Sequence, residues 1–184
     1  MHAYAAEDPV FRAMNARGQR ETDGALGAFC VQCHAPLALR MGLTTDGTDL
    51  DDVPAHLRGI TCAFCHTVEA VEGTHNNPLR LASDGVMRGG IRNPMQAGGH
   101  AMAYSPLHDR HDLRSSALCG SCHDVVTPNG VHLERTYLEW QQSVFNSDDE
   151  RQRNTCNDCH MPGRDEAIAT VEGAPVRRHH DHSM

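Results

Sequence analysis

The chain has 184 residues, a length that suits a single domain. Its formal net charge of −8 argues against binding to nucleic-acid phosphates, and no apolar run in the sequence is long enough for a membrane-spanning helix. Aromatic residues make up only 4% of the chain and the mean hydropathy is −0.51, so side chains alone supply little material for a hydrophobic core. Cysteine and histidine are abundant instead, with 8 and 14 copies.

Two helices and an acidic loop are predicted in the first part of the chain. Asp8 followed by Pro9 is a typical helix start, and the spacing of the next apolar residues extends this helix to about Arg20. A second, short helix is predicted from Leu26 to Cys33. Segment 43–59 is rich in Asp and is interpreted as a solvated loop. A calcium site is the alternative there, but the EF-hand pattern is absent.

The second part of the chain is predicted to be mostly irregular. Segment 73–106 is rich in Gly, Pro and Asn and shows no sustained periodicity, which indicates a long loop. Asp112 is placed to cap a short helix that leads into Cys119. The clearest helix is predicted from about His132 to Phe145. One face of that helix is apolar: Leu133, Tyr137, Trp140 and Val144.

All eight cysteines occur in Cys-x-x-Cys-His units. These units are Cys30-Val31-Gln32-Cys33-His34, Cys62-Ala63-Phe64-Cys65-His66, Cys119-Gly120-Ser121-Cys122-His123 and Cys156-Asn157-Asp158-Cys159-His160. The pattern is the attachment signature of c-type haem, because two thiols add to the vinyl groups of one porphyrin and the adjacent imidazole binds its iron. A disulfide framework, a zinc ribbon or a redox-active Cys-x-x-Cys site does not require His after each second cysteine.

The sequence therefore predicts four covalently bound c-type haems. The expected attachment residues are Cys30, Cys33, Cys62, Cys65, Cys119, Cys122, Cys156 and Cys159, and the expected proximal iron ligands are His34, His66, His123 and His160. The porphyrins would replace the missing aromatic core, so the haem-free chain is expected to be largely disordered. The predicted fold class is a haem-cored cytochrome, mainly α, with extensive irregular loops and little or no β.

The four motifs are unevenly spaced, and the two outer intervals are similar in length. This spacing excludes a simple tandem duplication and indicates two haem pairs. We predict one tetrahaem domain over residues 1–184, with sub-halves of roughly 1–75 and 100–184 joined by a haem-wrapping loop.

Covalent haem attachment takes place outside the cytoplasmic membrane, so we expect an exported protein, periplasmic or extracellular. The sequence starts Met1-His2-Ala3-Tyr4, without the basic and apolar regions of a signal peptide. We therefore expect that an export signal has been removed or that the chain is part of a longer precursor, and that both ends are cut.

Ten histidines lie outside the four motifs, and this surplus indicates a supply of second axial ligands for iron. The candidate distal ligands are His2, His75, His100, His108, His180 and His182, whereas His56, His111 and His179 are expected to be bystanders. Iron with two His ligands is six-coordinate and low in potential, which suits electron transfer. One haem with an axial Met, or with an open sixth position, remains the alternative.

Every one of the 16 basic residues is Arg. Arg forms planar, bidentate pairs with carboxylates, so several are expected to pair with haem propionates, with Arg80, Arg88 and Arg92 as the better candidates. A compositional bias of the source genome would explain the absence of Lys equally well.

Short motifs accompany the haem units in the second half of the chain. They are Asp124 after the third unit, Pro128, Glu134-Arg135-Thr136, Glu139-Trp140, and Met161-Pro162 after the fourth unit. With the haem units, these residues resemble the multihaem family of the nitrifiers' tetrahaem cytochrome c. Relatives of that family include hydroxylamine oxidoreductase, octahaem reductases and polymeric tetrahaem cytochromes.

The resemblance implies close-packed haem stacks that are mostly bis-His. It assigns His2 as the distal ligand ahead of the first haem, His75 as one after the second, and His100 as one ahead of the third. The terminal cluster that contains His180 and His182 would supply the fourth distal ligand. In the polymeric relatives, one distal His comes from the adjacent subunit.

Electron transfer between redox partner proteins is the predicted function, and the acidic charge favours basic partners. A subunit of a polymeric conducting filament is one alternative. The other is an enzyme that acts on a small nitrogen or sulfur compound at an open haem. Pentahaem nitrite reductases place Lys at the active-site iron, and this chain has no Lys. Hydroxylamine oxidation of the family type needs a Tyr cross-linked to haem, and Tyr4, Tyr104 and Tyr137 offer no recognisable site.

Overall fold

The computed structural model describes residues 1–96, 101–170 and 172–183, of which 30% are helical and 17% are in strands. The α-helices are α1 (Pro9–Glu21), α2 (Val31–His34), α3 (Pro36–Arg40), α4 (Cys62–His66), α5 (Arg114–Gly120), α6 (Thr136–Gln141) and α7 (Cys156–His160). Within the described ranges, 3₁₀ turns lie at His2–Tyr4, Ala55–Leu57 and Pro106–His108. None of the described helices is long and apolar enough to cross a membrane.

The described residues form eight short strands in four two-stranded sheets. The strands are β1 (Val68–Val71), β2 (Leu79–Leu81), β3 (Val86–Gly89), β4 (Ala101–Tyr104), β5 (Val125–Val126), β6 (His132–Glu134), β7 (Gly163–Ala167) and β8 (Val176–His180). β3 pairs with β4 in parallel, and the pairs β5–β6 and β7–β8 are antiparallel. The prediction of little β structure is confirmed. Strands of two to five residues are too short for side-chain alternation to reveal them.

The chain divides into two compact units, unit 1 (Met1–Val68) and unit 2 (Glu69–Met184). The first two Cys-x-x-Cys-His motifs lie in unit 1, and the last two lie in unit 2. The predicted linking loop, 73–106, falls wholly within unit 2.

Helix α1 is the longest element of unit 1 and begins as predicted. The Asp8 carboxylate accepts a hydrogen bond from Val10 N at 2.7 Å, and Pro9 is the first helical residue. The buried face of the helix consists of Phe11, Asn15 and Gln19.

Segment 43–59 is not simply the solvated loop that its acidic residues predicted. Leu50, Val53 and Leu57 are buried in the core of unit 1, where they join Val31 and Phe11. Burial of these apolar residues holds the segment against α1 while its carboxylates remain at the surface. Among the described residues, no group of three or more His, Cys, Asp or Glu side chains is arranged to hold a metal ion.

The prediction of a helix from Leu26 to Cys33 is wrong for the first part of this segment. Only Val31–His34 is α-helical, and a series of turns precedes it. Gly27 adopts a φ of +52°, in the left-handed region that interrupts a right-handed helix.

Unit 2 has few buried apolar side chains among its described residues, namely Leu79 and Leu107. Its predicted long loop, 73–106, contains strands β2, β3 and β4, which corrects the expectation of irregular structure. Helix α5 begins at Arg114, and the Asp112 carboxylate accepts a hydrogen bond from Arg114 N at 3.0 Å, close to the predicted cap.

The helix predicted from His132 to Phe145 is shortened to the six residues of α6. At its start, His132–Glu134 forms strand β6 instead. At its end, Ser143 Oγ donates to Trp140 O at 2.7 Å, and Asn146 Nδ2 donates to Gln141 O at 2.9 Å. These polar side chains satisfy carbonyl groups that a longer helix would have bonded internally.

Candidate haem attachment sites

Each of the four motifs lies on a short helical segment. The second and fourth coincide with α4 and α7, the first consists of Cys30 and helix α2, and the third begins near the end of α5. A helical turn places residues three apart on the same side, so the two thiols of each motif share a face. Side chains fix where two of these helices begin: Thr61 Oγ1 accepts a hydrogen bond from Phe64 N, and Thr155 forms a capping box with Asp158. None of the eight cysteines forms a disulfide.

The first motif presents an oriented imidazole. His34 Nδ1 lies 2.9 Å from Ala5 O, and its ring stacks on Phe11 with the ring centres 3.9 Å apart and the planes 6° from parallel. Because Nδ1 donates its proton to the carbonyl, Nε2 carries the free lone pair that an iron atom requires. The residues of this motif therefore fit a proximal haem ligand.

The third motif shows the same orientation with a different acceptor. His123 Nδ1 lies 3.2 Å from the Glu134 carboxylate, and because a carboxylate accepts, this contact assigns the ring proton to Nδ1. Glu134 reaches this position because β6 folds back on β5, and its register places Glu134 opposite Val125.

The third and fourth motifs are in direct contact within unit 2. Cys156 N donates to Ser116 Oγ at 3.1 Å, and Cys119 Sγ lies 3.8 Å from Asn157 Oδ1. A hydrogen bond from Cys119 lowers the pKa of Cys156 to about 6, which favours the nucleophilic thiolate. Burial instead raises the pKa of Cys30 in the first motif.

His75 was predicted to lie in a flexible segment after the second motif, but this segment is held against the third. Asn76 N donates to Asp124 O at 3.1 Å, and Asn77 N donates to Ser121 O at 2.6 Å. His75 itself is exposed, and its Nδ1 lies 3.1 Å from Thr74 Oγ1.

Two terminal candidates lie close to the fourth motif. His180 Nδ1 is 2.6 Å from the carbonyl of Met161, the residue that follows His160, and this contact leaves the His180 Nε2 free for a metal. His182 Nδ1 lies 2.8 Å from His180 O. His179 points elsewhere, with Nε2 2.5 Å from a carboxylate oxygen of Glu166.

The remaining candidate distal ligands are distributed over both units. His2 is exposed in the first 3₁₀ turn, and its carbonyl accepts a hydrogen bond from Ile60 N at 2.9 Å, two residues before Cys62. His108 ends the third 3₁₀ turn and is half-buried. His100 lies outside the described residues. The expected bystanders His56 and His111 are exposed.

The arginines predicted to meet haem propionates lie beside carboxylates of the chain. Arg80 pairs with Glu69 and Glu72. Arg88 pairs with Asp84 at 2.8 Å, and Arg92 pairs with the buried Asp109 at 3.0 Å. No signal in the sequence distinguishes these partners from propionates.

A cavity of about 300 Å³ lies beside the helix that leads into the third motif. Its walls come from β1, the third 3₁₀ turn and α5, and they include Val71, Pro106, Leu107, Arg114 and Ala117. The walls come from three segments that are distant in the sequence, so no local sequence pattern indicates this cavity.

Comparisons with known proteins find similarity to cytochromes c. A family model described as cytochrome c554 and c-prime matches residues 1–67, which include the first two motifs. The crystal structure of a penta-heme cytochrome c552 from Thermochromatium tepidum is similar, with 26% sequence identity and a TM-score of 0.55. The match covers 96% of this chain and 50% of that one, so the chain spans about half the length of the solved structure. No curated protein shows a significant match.

These comparisons support a multihaem cytochrome c with c-type haem as its cofactor. The finer resemblance to the nitrifiers' tetrahaem cytochrome and to hydroxylamine oxidoreductase is not confirmed and stays a prediction.

Proposed function

We propose that this protein is a tetrahaem c-type cytochrome that relays electrons between redox partner proteins. One observation carries the proposal: each compact unit contains two Cys-x-x-Cys-His motifs on short helical segments, with unbridged thiols. When bound, each haem supplies an iron atom that accepts and donates one electron. The chain supplies the attachment thiols, the axial imidazoles and the surface that partners contact.

The scarcity of buried apolar side chains in unit 2 supports haem as the core of this unit. Among the described residues from 69 onwards, only Leu79 and Leu107 are buried apolar side chains, too few to order a protein of this size. Several large apolar side chains of unit 2 are instead exposed, among them Leu133, Val144 and Phe145. Porphyrins would cover such surfaces and replace the missing core.

Histidine orientation supports mostly bis-His iron. His34 and His123 each place Nδ1 beside an oxygen acceptor, which is the usual arrangement of a metal-binding imidazole. His180 has the same arrangement near the fourth motif, and His75 is held near the third. These two are the distal ligands that the contacts favour most, with His2, His100, His108 and His182 as further candidates.

The expected partners and compartment follow from charge and cofactor. The net charge of −8 favours basic redox partners and association that weakens with salt. Multihaem c-type cytochromes are usually periplasmic or extracellular, and we propose the same location here. Assembly into homo-oligomers or a filament belongs to the same proposal, and the mass in solution tests it.

The proposal is tested first by haem content and then by carbon monoxide. Pyridine haemochrome absorbance and the intact mass of the protein should give four haems per chain. The dithionite-reduced spectrum should then be unchanged by carbon monoxide, because six-coordinate bis-His iron has no free position. A change in about one haem of four would indicate an open iron and favour the enzyme over the carrier. Fewer than four haems would contradict the tetrahaem proposal.

A further inference from the structure

We propose that Glu134 sets the reduction potential of the third haem by holding His123 through a hydrogen bond. Glu134 would be a positioning residue, because it acts on the iron only through the imidazole. The inference rests on the proposed function, since it requires His123 to be an iron ligand.

The contact fixes the chemical form of the His123 ring. Nδ1 lies 3.2 Å from Glu134 Oε1, so the ring proton resides between these two atoms. The opposite nitrogen, Nε2, then carries the lone pair directed away from Glu134. A carboxylate acceptor draws the Nδ1 proton more strongly than a neutral acceptor and makes the imidazole a more basic ligand.

The local fold determines both partners of this hydrogen bond. Strand β5 begins two residues after His123, and β6 returns along it with Glu134 opposite Val125. Thr136 Oγ1 donates to Glu134 Oε1 at 3.1 Å. Tyr137 N donates to the His123 carbonyl at 3.1 Å, which ties the start of α6 to the motif. The carboxylate is therefore positioned by the hairpin and by α6 together.

The first motif provides the contrast within the same chain. There the acceptor for Nδ1 is the Ala5 carbonyl at 2.9 Å, a neutral backbone group that no substitution at residue 5 removes. A more basic imidazole stabilises ferric over ferrous iron, so the third haem should be lower in potential than the same site with a neutral acceptor. The side chains of His123 and Glu134 are 52% and 41% exposed, so solvent screens part of the effect and high salt should reduce it.

Two substitutions and one control test the inference in the haem-loaded protein. E134Q keeps the size of the side chain and removes its charge, and E134A removes the acceptor. E139Q is the matched control, because Glu139 is exposed on α6 and its replacement changes the net charge by the same amount. The four midpoint potentials are measured by optical redox titration, and the ferric haems are compared by EPR.

We expect one of the four potentials to move to a more positive value in E134Q and E134A, with a change in one low-spin EPR signal. The other three potentials should match those of the wild type, and E139Q should change none selectively. The inference is overturned if E134Q and E139Q give the same four potentials. If instead the wild type has no haem at Cys119 and Cys122, the inference and the proposed function fail together, and haem content distinguishes the two cases.

Discussion

The side chain of Asn76 forms hydrogen bonds with both backbone groups of Val126. Its side-chain Oδ1 accepts a hydrogen bond from Val126 N at 3.0 Å, and its Nδ2 donates to Val126 O at 2.7 Å. The two residues are 50 positions apart in sequence. The side-chain amide of Asn76 thus bonds to β5 as a further strand would. It also holds the segment that contains His75 beside the third motif.

We predict that N76A weakens the folded protein by about 1–3 kcal/mol, because it removes two hydrogen bonds worth about 0.5–1.5 kcal/mol each. Asn76 also adopts a φ of +60°, which Asn tolerates better than Ala, and this adds to the loss. Urea unfolding of the haem-loaded protein, followed by circular dichroism, measures the change. N129A in the exposed turn before β6 is the control and should unfold near the wild-type midpoint. Equal midpoints for N76A and N129A would contradict a structural role for the amide.

His75→Ala should convert one haem from low-spin to high-spin. Removal of a distal imidazole leaves five-coordinate iron, so the reduced variant should also bind carbon monoxide at about one haem in four. The optical spectrum with and without carbon monoxide measures both effects. H56A removes an exposed histidine of unit 1 and should leave the spectrum as in the wild type. An unchanged spectrum for H75A would mean that His75 is not a ligand.

The sequence identifies haem chemistry far better than it locates secondary structure. Adjacent residues form the attachment motifs, so spacing alone reveals them. Helix α1 was predictable for the same reason, because Asp8 and Pro9 define its start locally. Strand pairing positions Glu134, and backbone hydrogen bonds to Ser121 and Asp124 hold the segment of His75; periodicity in a single segment encodes neither.

The helix from His132 to Phe145 shows how tertiary structure overrides a local pattern. Its apolar spacing is real, but residues 132–134 gain backbone hydrogen bonds from β5, and Ser143 closes the helix early. Tyr137 and Trp140 remain neighbours on α6, with ring centres 5.8 Å apart. The apolar face of this helix was predicted correctly over about one turn, and both ends of the helix were predicted wrongly.

Loss of haem should affect the two units unequally. Unit 1 retains a cluster of buried apolar residues that includes Phe11, Val31 and Leu50, whereas unit 2 has Leu79 and Leu107 among its described residues. We predict that replacing the four cysteines of the last two motifs by Ala exposes residues 69–184 to limited proteolysis and spares residues 1–68. Mass spectrometry of the fragments locates the cuts.

The reciprocal variant, with the four cysteines of the first two motifs replaced by Ala, is the control. Its unit 1 should resist proteolysis better than unit 2 does in the first variant, because burial of its apolar side chains persists without haem. Equal digestion of the affected unit in the two variants would contradict haem as the main core of unit 2. A cooperative melting transition of unit 2 in haem-free protein would contradict it as well.

Acid should weaken unit 1 partly through Asp51. The Arg12 guanidinium donates a hydrogen bond to the Asp51 carboxylate at 2.6 Å, and this bond with the neighbouring positive charge lowers the pKa of Asp51. Because the folded pKa lies below the unfolded value of about 3.9, the pair stabilises the fold at higher pH, and this contribution is lost as the pH falls through the folded pKa.

D51N should therefore lose less stability than the wild type between pH 6 and pH 3. Urea midpoints at the two pH values measure this difference, and D52N, which replaces the exposed neighbouring carboxylate, is the control. The Asp51 side chain is 84% exposed, so the effect should be small and should shrink further in high salt. If D51N and the wild type lose the same stability in acid at low salt, the contact between α1 and segment 43–59 depends on apolar burial rather than on this ion pair.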